Sequence, residues 1–247
     1  MSDRAEPSLE DRYLSMTERD GSLVHERTDA LRWDAERDIV TARYGFAIRT
    51  LKRAGAKTVL DMASGLGYGT WLLWRAGFAV KGVELSEDAL PVARARYPWL
   101  TFEQGNILSF EHEPVDGLVA CDVIEHLSDG RAFWAAMERL LKPGGILVVT
   151  TPRGSDSRPP TNPFHVHEYT LAEFRRLLPA VPVRTLVTSL IKPARFWIAL
   201  LGNERYQRMN YRLSRCFPFH YLPAYAKTFA LAIRKEDLQS ALRSWSE

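Results

Sequence analysis

The chain has 247 residues, a formal net charge of +3 and 46% hydrophobic residues. This length is sufficient for one large domain with a buried core, and the composition is ordinary for a soluble globular protein. So small a net charge gives no argument for nucleic-acid binding, and we expect none.

Two further features bear on where the protein works. Cys121 and Cys216 form no disulfide pattern, which favours a reducing compartment. The polar N-terminus predicts no signal peptide, and the longest apolar stretch outside the core, 196–201, is too short to cross a bilayer. We therefore expect a cytoplasmic protein without a transmembrane segment. Peripheral membrane contact and a homodimer stay open.

The first predicted element is a helix over residues 26–53, where apolar residues recur on one helical face until Gly55. The next segment, 57–69, reads KTVLDMASGLGYG and predicts a strand, a tight turn and the start of a helix. Glycines in such a turn admit positive φ and let a ligand contact the backbone. The helix N-terminus behind the turn offers unpaired N–H groups. Dinucleotides and S-adenosylmethionine both use this geometry.

The dinucleotide fingerprint G-x-G-x-x-G fails here, because its third glycine would fall on Thr70 or Leu72. This disfavours a nicotinamide dehydrogenase. The observed pattern, D-x-A-x-G-x-G-x-G over residues 61–69, resembles motif I of class I S-adenosylmethionine-dependent methyltransferases.

That resemblance implies roles for the turn. Asp61 would hold the methionyl ammonium end of S-adenosylmethionine, and the backbone of Ala63, Gly65 and Gly67 would approach the cofactor. The family usually has glycine at position 63. Because alanine disfavours the left-handed region, we expect a negative φ at Ala63.

Two further strands, at 78–84 and 100–104, end beside residues that suit an adenosyl group. Glu84 lies at about the spacing that a ribose-binding carboxylate needs in a doubly wound fold, and a carboxylate accepts two hydrogen bonds from a vicinal diol. The resemblance implies contacts with adenine for three more residues: Leu85, Asn106 and Ile107. The family usually has an acid at position 106, where the asparagine carbonyl can accept the same bond.

The predicted fourth strand, 115–121, leads into CDVIEHL, which resembles the VIEHL motif of ubiquinone-biosynthesis and related O-methyltransferases. Cys121 and Asp122 would then line the sulfonium side of the cofactor. A predicted helix over 131–141 and a fifth strand over 146–151 follow. The segment LLKPGGILVVTTP, residues 140–152, includes the end of this helix and the whole fifth strand, and it resembles the same family.

Two segments resemble sugar-modifying members of the family. NPFHVHEYT, residues 162–170, is similar to a segment of bacterial glycan-cluster methyltransferases. TARYGFAI, residues 41–48, is similar to sugar-modifying enzymes, in which Arg43 and Tyr44 would reach the cofactor carboxylate. Plain helix packing is the alternative for both side chains.

The resemblance implies an α/β fold: a Rossmann-like seven-stranded sheet in the order 3-2-1-4-5-7-6, with the last strand antiparallel and helices on both faces. Residues 181–191 and 227–234 would be its last two strands. We expect a single domain whose parts are N-terminal cap helices (1–54), a cofactor-binding core (55–191), an insertion (192–226), and a final strand and tail (227–247). The insertion is rich in arginine and aromatic residues, which suits a saccharide-binding flap, single-stranded nucleic acid or a membrane surface.

Methyl transfer to an alcohol requires a general base. His126, just past the fourth strand, is the first candidate, and His165 and Glu125 are further catalytic candidates. Asp122, Glu125 and His126 also follow D-x-x-E-H spacing. Ubiquinone and small-RNA 2′-O-methyltransferases carry E-x-x-E-H and bind a divalent metal. With His165, the same residues would form a site for Mg²⁺ or Mn²⁺, although Asp122 is one methylene shorter than the family's first acid.

The sequence therefore predicts a methyltransferase that uses S-adenosylmethionine and acts on a saccharide hydroxyl of a polysaccharide, glycolipid or glycosylated metabolite. Metal assistance stays open. A phenolic or quinol acceptor is the alternative. A non-catalytic cofactor-binding subunit of a methyltransferase complex is a third hypothesis, against which the retained His126 and His165 argue.

Overall fold

A computed structural model describes residues 33–155, 165–187 and 226–245, together with residues 200 and 205. In these ranges the chain forms seven strands: β1 (Thr58–Met62), β2 (Ala79–Glu84), β3 (Thr101–Gln104), β4 (Val115–Cys121), β5 (Leu141–Pro152), β6 (Arg184–Val187) and β7 (Ala226–Arg234). They hydrogen-bond into one sheet in the order β3-β2-β1-β4-β5-β7-β6.

The strand directions are those of a mixed α/β sheet. β1 pairs in parallel with β2 and β4, β2 with β3, and β4 with β5. β7 runs antiparallel to both β5 and β6. The predicted Rossmann-like α/β class is confirmed, and the sheet order is the one that the sequence analysis expects.

Six described helices flank the sheet: α1 (Trp33–Arg53), α2 (Tyr68–Arg75), α3 (Ala89–Arg96), α4 (Gly130–Arg139), α5 (Leu171–Leu177) and α6 (Lys235–Ser244). A short 3-10 turn covers Ile124–His126. α6 was not predicted, and it lies where only a tail was expected. Its buried residues, Leu238 and Ala241, lie on one helical face.

Both faces of the sheet are covered. Trp134 of α4 and Phe174 of α5 belong to a buried cluster on one face. Leu51 of α1 and Leu73 of α2 belong to a second cluster on the other. Because the faces are occupied by apolar packing, a ligand has access at the carboxyl ends of the parallel strands, where open α/β sheets bind theirs.

Several predictions fall on residues outside the described ranges. They include the N-terminal residues 1–32, the loop 156–164, the end of the predicted sixth strand (188–191) and nearly all of the insertion 192–226. No described helix combines the length and apolarity needed to cross a bilayer.

Candidate active site

Asp61, near the end of β1, is fully buried and held by two hydroxyl groups. Tyr44 Oη of α1 donates to Oδ1 at 2.8 Å, and Thr70 Oγ1 of α2 donates to Oδ2 at 2.7 Å. Burial raises the pKa of Asp61 to about 7, and the nearby Glu84 charge adds to that rise, while the two hydroxyl donors oppose it. A carboxyl group that is costly to ionise here would be stabilised as a carboxylate by a cationic ligand.

The turn after β1 begins with a residue in the left-handed region. Ala63 has φ +57°, so the expectation of a negative φ is wrong. Hydrogen bonds fix the turn, since Ser64 N donates to Val83 O and Gly67 N donates to Ser64 O, both at 3.0 Å. The cost to alanine is of order 1 kcal/mol, and the neighbouring hydrogen bonds hold the residue there.

The glycines of this turn serve different purposes. A Cβ placed on Gly65, which has φ +53°, meets no described atom within 4 Å, so the backbone there has an open face. On Gly67, with φ +84°, the same atom would lie 2.5 Å from the Phe102 ring. On Gly69 it would collide with the Tyr44 ring. Thus Gly65 leaves room for a ligand, whereas Gly67 and Gly69 allow close packing.

Glu84 lies beside this open face at the end of β2. The carboxylate accepts from Gly65 N at 2.8 Å and from Ser86 N at 2.9 Å, one bond to each oxygen. These bonds fix its orientation, and each oxygen keeps a second lone pair for a hydroxyl donor. Leu85, the next residue, is half-buried.

The two residues predicted beside adenine follow β3. Asn106 is exposed, and its Oδ1 accepts from Leu108 N at 2.9 Å, which leaves one lone pair on that oxygen. Ile107 is buried and belongs to the core cluster. Their contacts with adenine stay predictions.

At the end of β4 the chain turns sharply. Asp122 has φ +54°, forms an ion pair with Arg43 of α1 and accepts from Thr150 Oγ1 at 3.1 Å. Burial is the largest of the effects that raise the pKa of the Cys121 thiol, so Cys121 is a neutral thiol at pH 7. Arg43 and Tyr44 each contact an acid at a strand end, and their contact with the cofactor carboxylate stays a prediction.

Glu125 is completely buried in the 3-10 turn after β4. Thr151 Oγ1 donates to its Oε2 at 2.9 Å, while Oε1 has no hydrogen-bond partner in the described part of the chain. Burial, together with the charge of Asp122, raises the pKa of Glu125 well above its usual range. A nearby cation would favour the ionised form of this buried carboxyl group.

Two histidines complete this site. The rings of His126 and His165 meet edge to face, with centroids 5.0 Å apart. His165 Nδ1 hydrogen-bonds Glu168 Oε1 at 2.6 Å. The loop that carries His165 is tied to the 3-10 turn, because Val166 N and His167 N both donate to Glu125 O, at 2.8 and 3.1 Å.

Three of the four predicted metal ligands come together. One ligand atom each from Glu125, His126 and His165 lies within 4.8 Å of the others. Among the described residues Asp122 does not belong to this group, and its part in a metal site stays a prediction. Its short side chain is engaged by Arg43 and Thr150.

Sequence reasoning missed three side chains that shape the site. Thr70 was noted only as the residue that breaks the dinucleotide fingerprint, yet it donates to Asp61. Thr151 was the end of a strand, yet it holds Glu125. Glu168 was part of a family-like segment, and its contact with His165 had no clear sequence signal beyond the three-residue spacing.

Comparison with known proteins gives a consistent result. Residues 60–149 match the family model described as a methyltransferase domain. The chain is 36% identical over 136 residues to a "Probable S-adenosylmethionine-dependent methyltransferase" of Mycolicibacterium smegmatis, covering 53% of each protein. It is 30% identical over 122 residues to a ubiquinone biosynthesis O-methyltransferase of Dinoroseobacter shibae, covering 45% of this chain and 48% of the relative. The chain thus spans about half the length of these curated relatives.

Two solved structures share the fold. One is an S-adenosylmethionine-dependent methyltransferase from Clostridium acetobutylicum, with a TM-score of 0.56 and 12% identity, covering 83% of this chain and 96% of the other. The second is phosphoethanolamine N-methyltransferase 2 of Haemonchus contortus, with a TM-score of 0.54 and 18% identity, covering 83% of this chain and 58% of the other.

Proposed function

We propose that this chain, a class I S-adenosylmethionine-dependent methyltransferase, methylates a hydroxyl group of a saccharide. The observation that carries the proposal is the group of Glu125, His126 and His165 just past the end of β4. When bound, S-adenosylmethionine supplies an activated methyl group, and the protein must bind it, align the acceptor and take up the acceptor's proton.

The residues around the turn after β1 suit such a cofactor. Asp61 would face the ammonium group, which would stabilise its ionised form. The open backbone face at Gly65 leaves room for the ligand, and Glu84, fixed by two backbone N–H groups, would accept from the ribose diol. The remaining assignments follow the sequence: Leu85, Asn106 and Ile107 at adenine, and Cys121 and Asp122 on the sulfonium side.

The histidines favour a hydroxyl acceptor. An alcohol holds its proton tightly at pH 7, so its transfer depends on a positioned base, whereas an unprotonated amine needs none to attack. His126 and His165 are the two candidates for that base. Burial raises the pKa of their neighbour Glu125 above its usual range, so its carboxyl group is harder to ionise.

Support for a saccharide comes from sequence. Residues 162–170 are similar to glycan-cluster enzymes, and the insertion 192–226 combines arginines with aromatic residues that can stack on sugar rings. The second candidate is a phenolic or quinol hydroxyl. It is favoured by the 30% identity to a protein named as a ubiquinone biosynthesis O-methyltransferase.

A divalent cation is a further part of the proposal. One carboxylate and two imidazoles suit Mn²⁺ better than Mg²⁺, and the unpartnered Oε1 of buried Glu125 is an oxygen in need of a positive partner. Such an ion would lower the pKa of an acceptor hydroxyl. If it is required, exhaustive chelation abolishes turnover and Mn²⁺ or Mg²⁺ restores it. Full activity after chelation would favour a histidine base that acts without a metal ion.

The test is incubation with labelled S-adenosylmethionine and a panel of sugars, glycolipids, phenols and amines, with products read by mass. We expect a sugar to gain one methyl group. The double variant His126→Ala/His165→Ala should keep its affinity for S-adenosylhomocysteine and lose at least ~100-fold in turnover. His112→Ala is the control, since His112 is a half-buried histidine stacked on Phe110. Cofactor binding without methylation of any acceptor would favour a non-catalytic subunit.

A further inference from the structure

Five aromatic side chains form a contiguous aromatic patch beside β3, the edge strand of the sheet. Three belong to α2 and two to the segment between α3 and β3: Tyr68, Trp71, Trp74, Tyr97 and Trp99. Neighbouring ring centroids lie 5.4 to 6.1 Å apart, and the contacts form one unbroken series from Tyr68 through Trp71, Tyr97 and Trp99 to Trp74. The patch is therefore one surface rather than a set of scattered rings.

Much of the patch faces solvent. Trp74 is 46% exposed and Trp99 is 56% exposed, although a tryptophan side chain is costly to leave in water. Tyr68, Trp71 and Trp74 recur every three residues on one side of α2, whereas the helix packs on the sheet through Leu73. Core packing therefore does not explain the aromatic side of α2, and an exposed apolar patch of this kind indicates an interaction site.

The charge around the patch is positive. Residues 62–83 and 89–102, which include α2 and α3, contain no aspartate and no glutamate. Arg75 and Arg94 are both exposed. Arg94 donates to the Phe102 carbonyl at 2.8 Å, and this partner is neutral, so the guanidinium keeps its net charge. The patch thus combines aromatic rings with positive charge, which complements an anionic partner.

The ring geometry argues against a sugar as that partner. A sugar stacks on a free, flat aromatic face. Arg75 Cζ lies over the Trp71 ring, 4.9 Å from its centroid, and Tyr97 stacks on the same ring at an interplanar angle of 22°. Trp99 is tilted by 48° to Trp74 and by 82° to Tyr97, so these rings form no flat platform.

A second copy of this chain fits the charge poorly. In a two-fold symmetric contact the same patch of each copy meets the other, so the arginines would face one another without an acid between them. A lipid surface suits both properties of the patch. Tryptophan and tyrosine have an apolar body and a polar tip, which favour the boundary between lipid and water. Arginine pairs with the phosphates of lipid headgroups.

We propose that the aromatic patch, together with Arg75 and Arg94, docks the protein on the surface of an anionic lipid membrane. Trp74 and Trp99 enter the headgroup region, and the two arginines bind lipid phosphates. Docking of this kind is peripheral and reversible. The inference does not depend on which hydroxyl the protein methylates.

The patch adjoins the candidate cofactor site. Tyr68 directly follows Gly67, and a Cβ placed on Gly67 would lie 3.1 Å from Tyr97 Cδ2. Docking therefore holds the turn after β1 close to the membrane. Two of the proposed acceptors, a glycolipid and a quinol with an apolar tail, reside in membranes, so the position of the patch suits an acceptor of either kind.

The first experiment is co-sedimentation of the full chain with vesicles and needs neither cofactor nor acceptor. We expect binding at least tenfold tighter to phosphatidylcholine vesicles with about one third phosphatidylglycerol than to phosphatidylcholine alone, and weaker binding as salt is added. Trp74→Ala/Trp99→Ala should weaken binding to the anionic vesicles at least tenfold. Arg75→Ala should weaken it about fivefold.

Arg131→Ala is the matched control. Arg131 is also an exposed arginine over a tryptophan ring, with Cζ 5.8 Å from the Trp245 centroid, but it belongs to α4, which packs on the other face of the sheet. This variant should bind vesicles as tightly as the unsubstituted protein. Since Trp74 and Trp99 are exposed, their double variant should unfold at nearly the same urea concentration as the unsubstituted protein.

A second measurement locates the contact. Brominated lipid chains quench the emission of an indole that enters the bilayer. The chain has seven tryptophans, and we expect Trp74→Phe/Trp99→Phe, which keeps two apolar rings, to lose a smaller share of its emission on brominated anionic vesicles than the unsubstituted protein. An equal share lost by both proteins would overturn the inference, as would equal vesicle binding by the alanine double variant.

The remaining outcomes assign the patch to another partner. Absence of binding to anionic vesicles overturns the inference. If a soluble oligosaccharide then quenches tryptophan emission, and Trp74→Ala/Trp99→Ala abolishes that effect, the patch binds sugar. If the unsubstituted protein sediments as a dimer and the double variant as a monomer, the patch binds a second copy. Methylation of soluble acceptors is measured without vesicles, so the proposed function is judged separately from each of these results.

Discussion

Replacement of Asp61 by asparagine tests how much the buried Asp61 carboxylate costs the fold in the candidate cofactor site. The aspartate has a pKa of about 7 in the folded protein, against an ordinary value of 3.8, chiefly because it is fully buried. Between these two values the folded protein holds a proton at Asp61 that the unfolded chain has lost. Raising the pH therefore favours unfolding, and the folded wild-type protein loses stability from about pH 4 up to about pH 7.

The expected size follows from that linkage. Each pH unit inside the window changes the free energy of unfolding by about 1.4 kcal/mol. Asparagine does not titrate, so the stability of Asp61→Asn relative to wild type should rise by about 2 to 3 kcal/mol between pH 5 and pH 8. The loss of a hydroxyl hydrogen bond from Tyr44 or Thr70 would shift the whole curve by about 1 kcal/mol without changing its slope.

The assay is urea unfolding of both proteins at pH 5, 6, 7 and 8. Asp116→Asn is the matched control. Asp116 accepts from Lys142 Nζ and from Lys57 N and Thr58 N, and these bonds hold its pKa well below the ordinary range. Asp116 is thus ionised in both states across this pH range, so its variant should differ from wild type by a constant amount. A pH-independent difference for Asp61→Asn would refute the reasoning.

The remaining predictions concern the turn after β1. Ala63→Gly should stabilise the fold by about 0.5 to 1 kcal/mol in urea unfolding, because it relieves left-handed strain, with little change in cofactor affinity. Gly65→Ala should cost only about 1 kcal/mol of stability but weaken S-adenosylhomocysteine binding at least tenfold by calorimetry, since its Cβ fills the open face. Gly67→Ala should show the opposite balance, with a small effect on binding and a large effect on stability. It should lose about 2 to 4 kcal/mol of stability, because its Cβ would collide with the Phe102 ring. Equal effects of the two alanines on binding would argue against an open face at Gly65.

Much of the fold could be predicted because its signals are local. Apolar runs that end in an acid or a glycine marked the strands, and the predicted fourth strand coincides with β4, Val115–Cys121. α6 carries the same kind of local signal, although it was not predicted. Its buried residues Leu238 and Ala241 and the partly buried Leu242 recur at i, i+3 and i+4, which is the spacing of one helical face.

The candidate site, like the fold, was predicted only in part. Asp61 and Glu84 were predicted from strand ends, since the carboxyl ends of parallel strands meet at one edge. The partners of these acids were less visible. The Arg43–Asp122 pair joins residues far apart in the chain, and no spacing rule connects them. The left-handed Ala63 was predicted wrongly, because intrinsic preference gave way to the hydrogen bonds of its turn.

The contacts of α1 explain why acids that are costly to bury can persist at this edge of the sheet. Consecutive residues, Arg43 and Tyr44, engage Asp122 and Asp61, which end the neighbouring strands β4 and β1. Arg43 neutralises one acid with an ion pair, whereas Tyr44 offers the other only a neutral hydroxyl. Asp61 is thus fixed in direction but keeps its need for a positive charge. A cationic ligand would meet that need, so ligand binding and ionisation of this carboxyl group would be coupled, and a ligand with an ammonium group would be favoured.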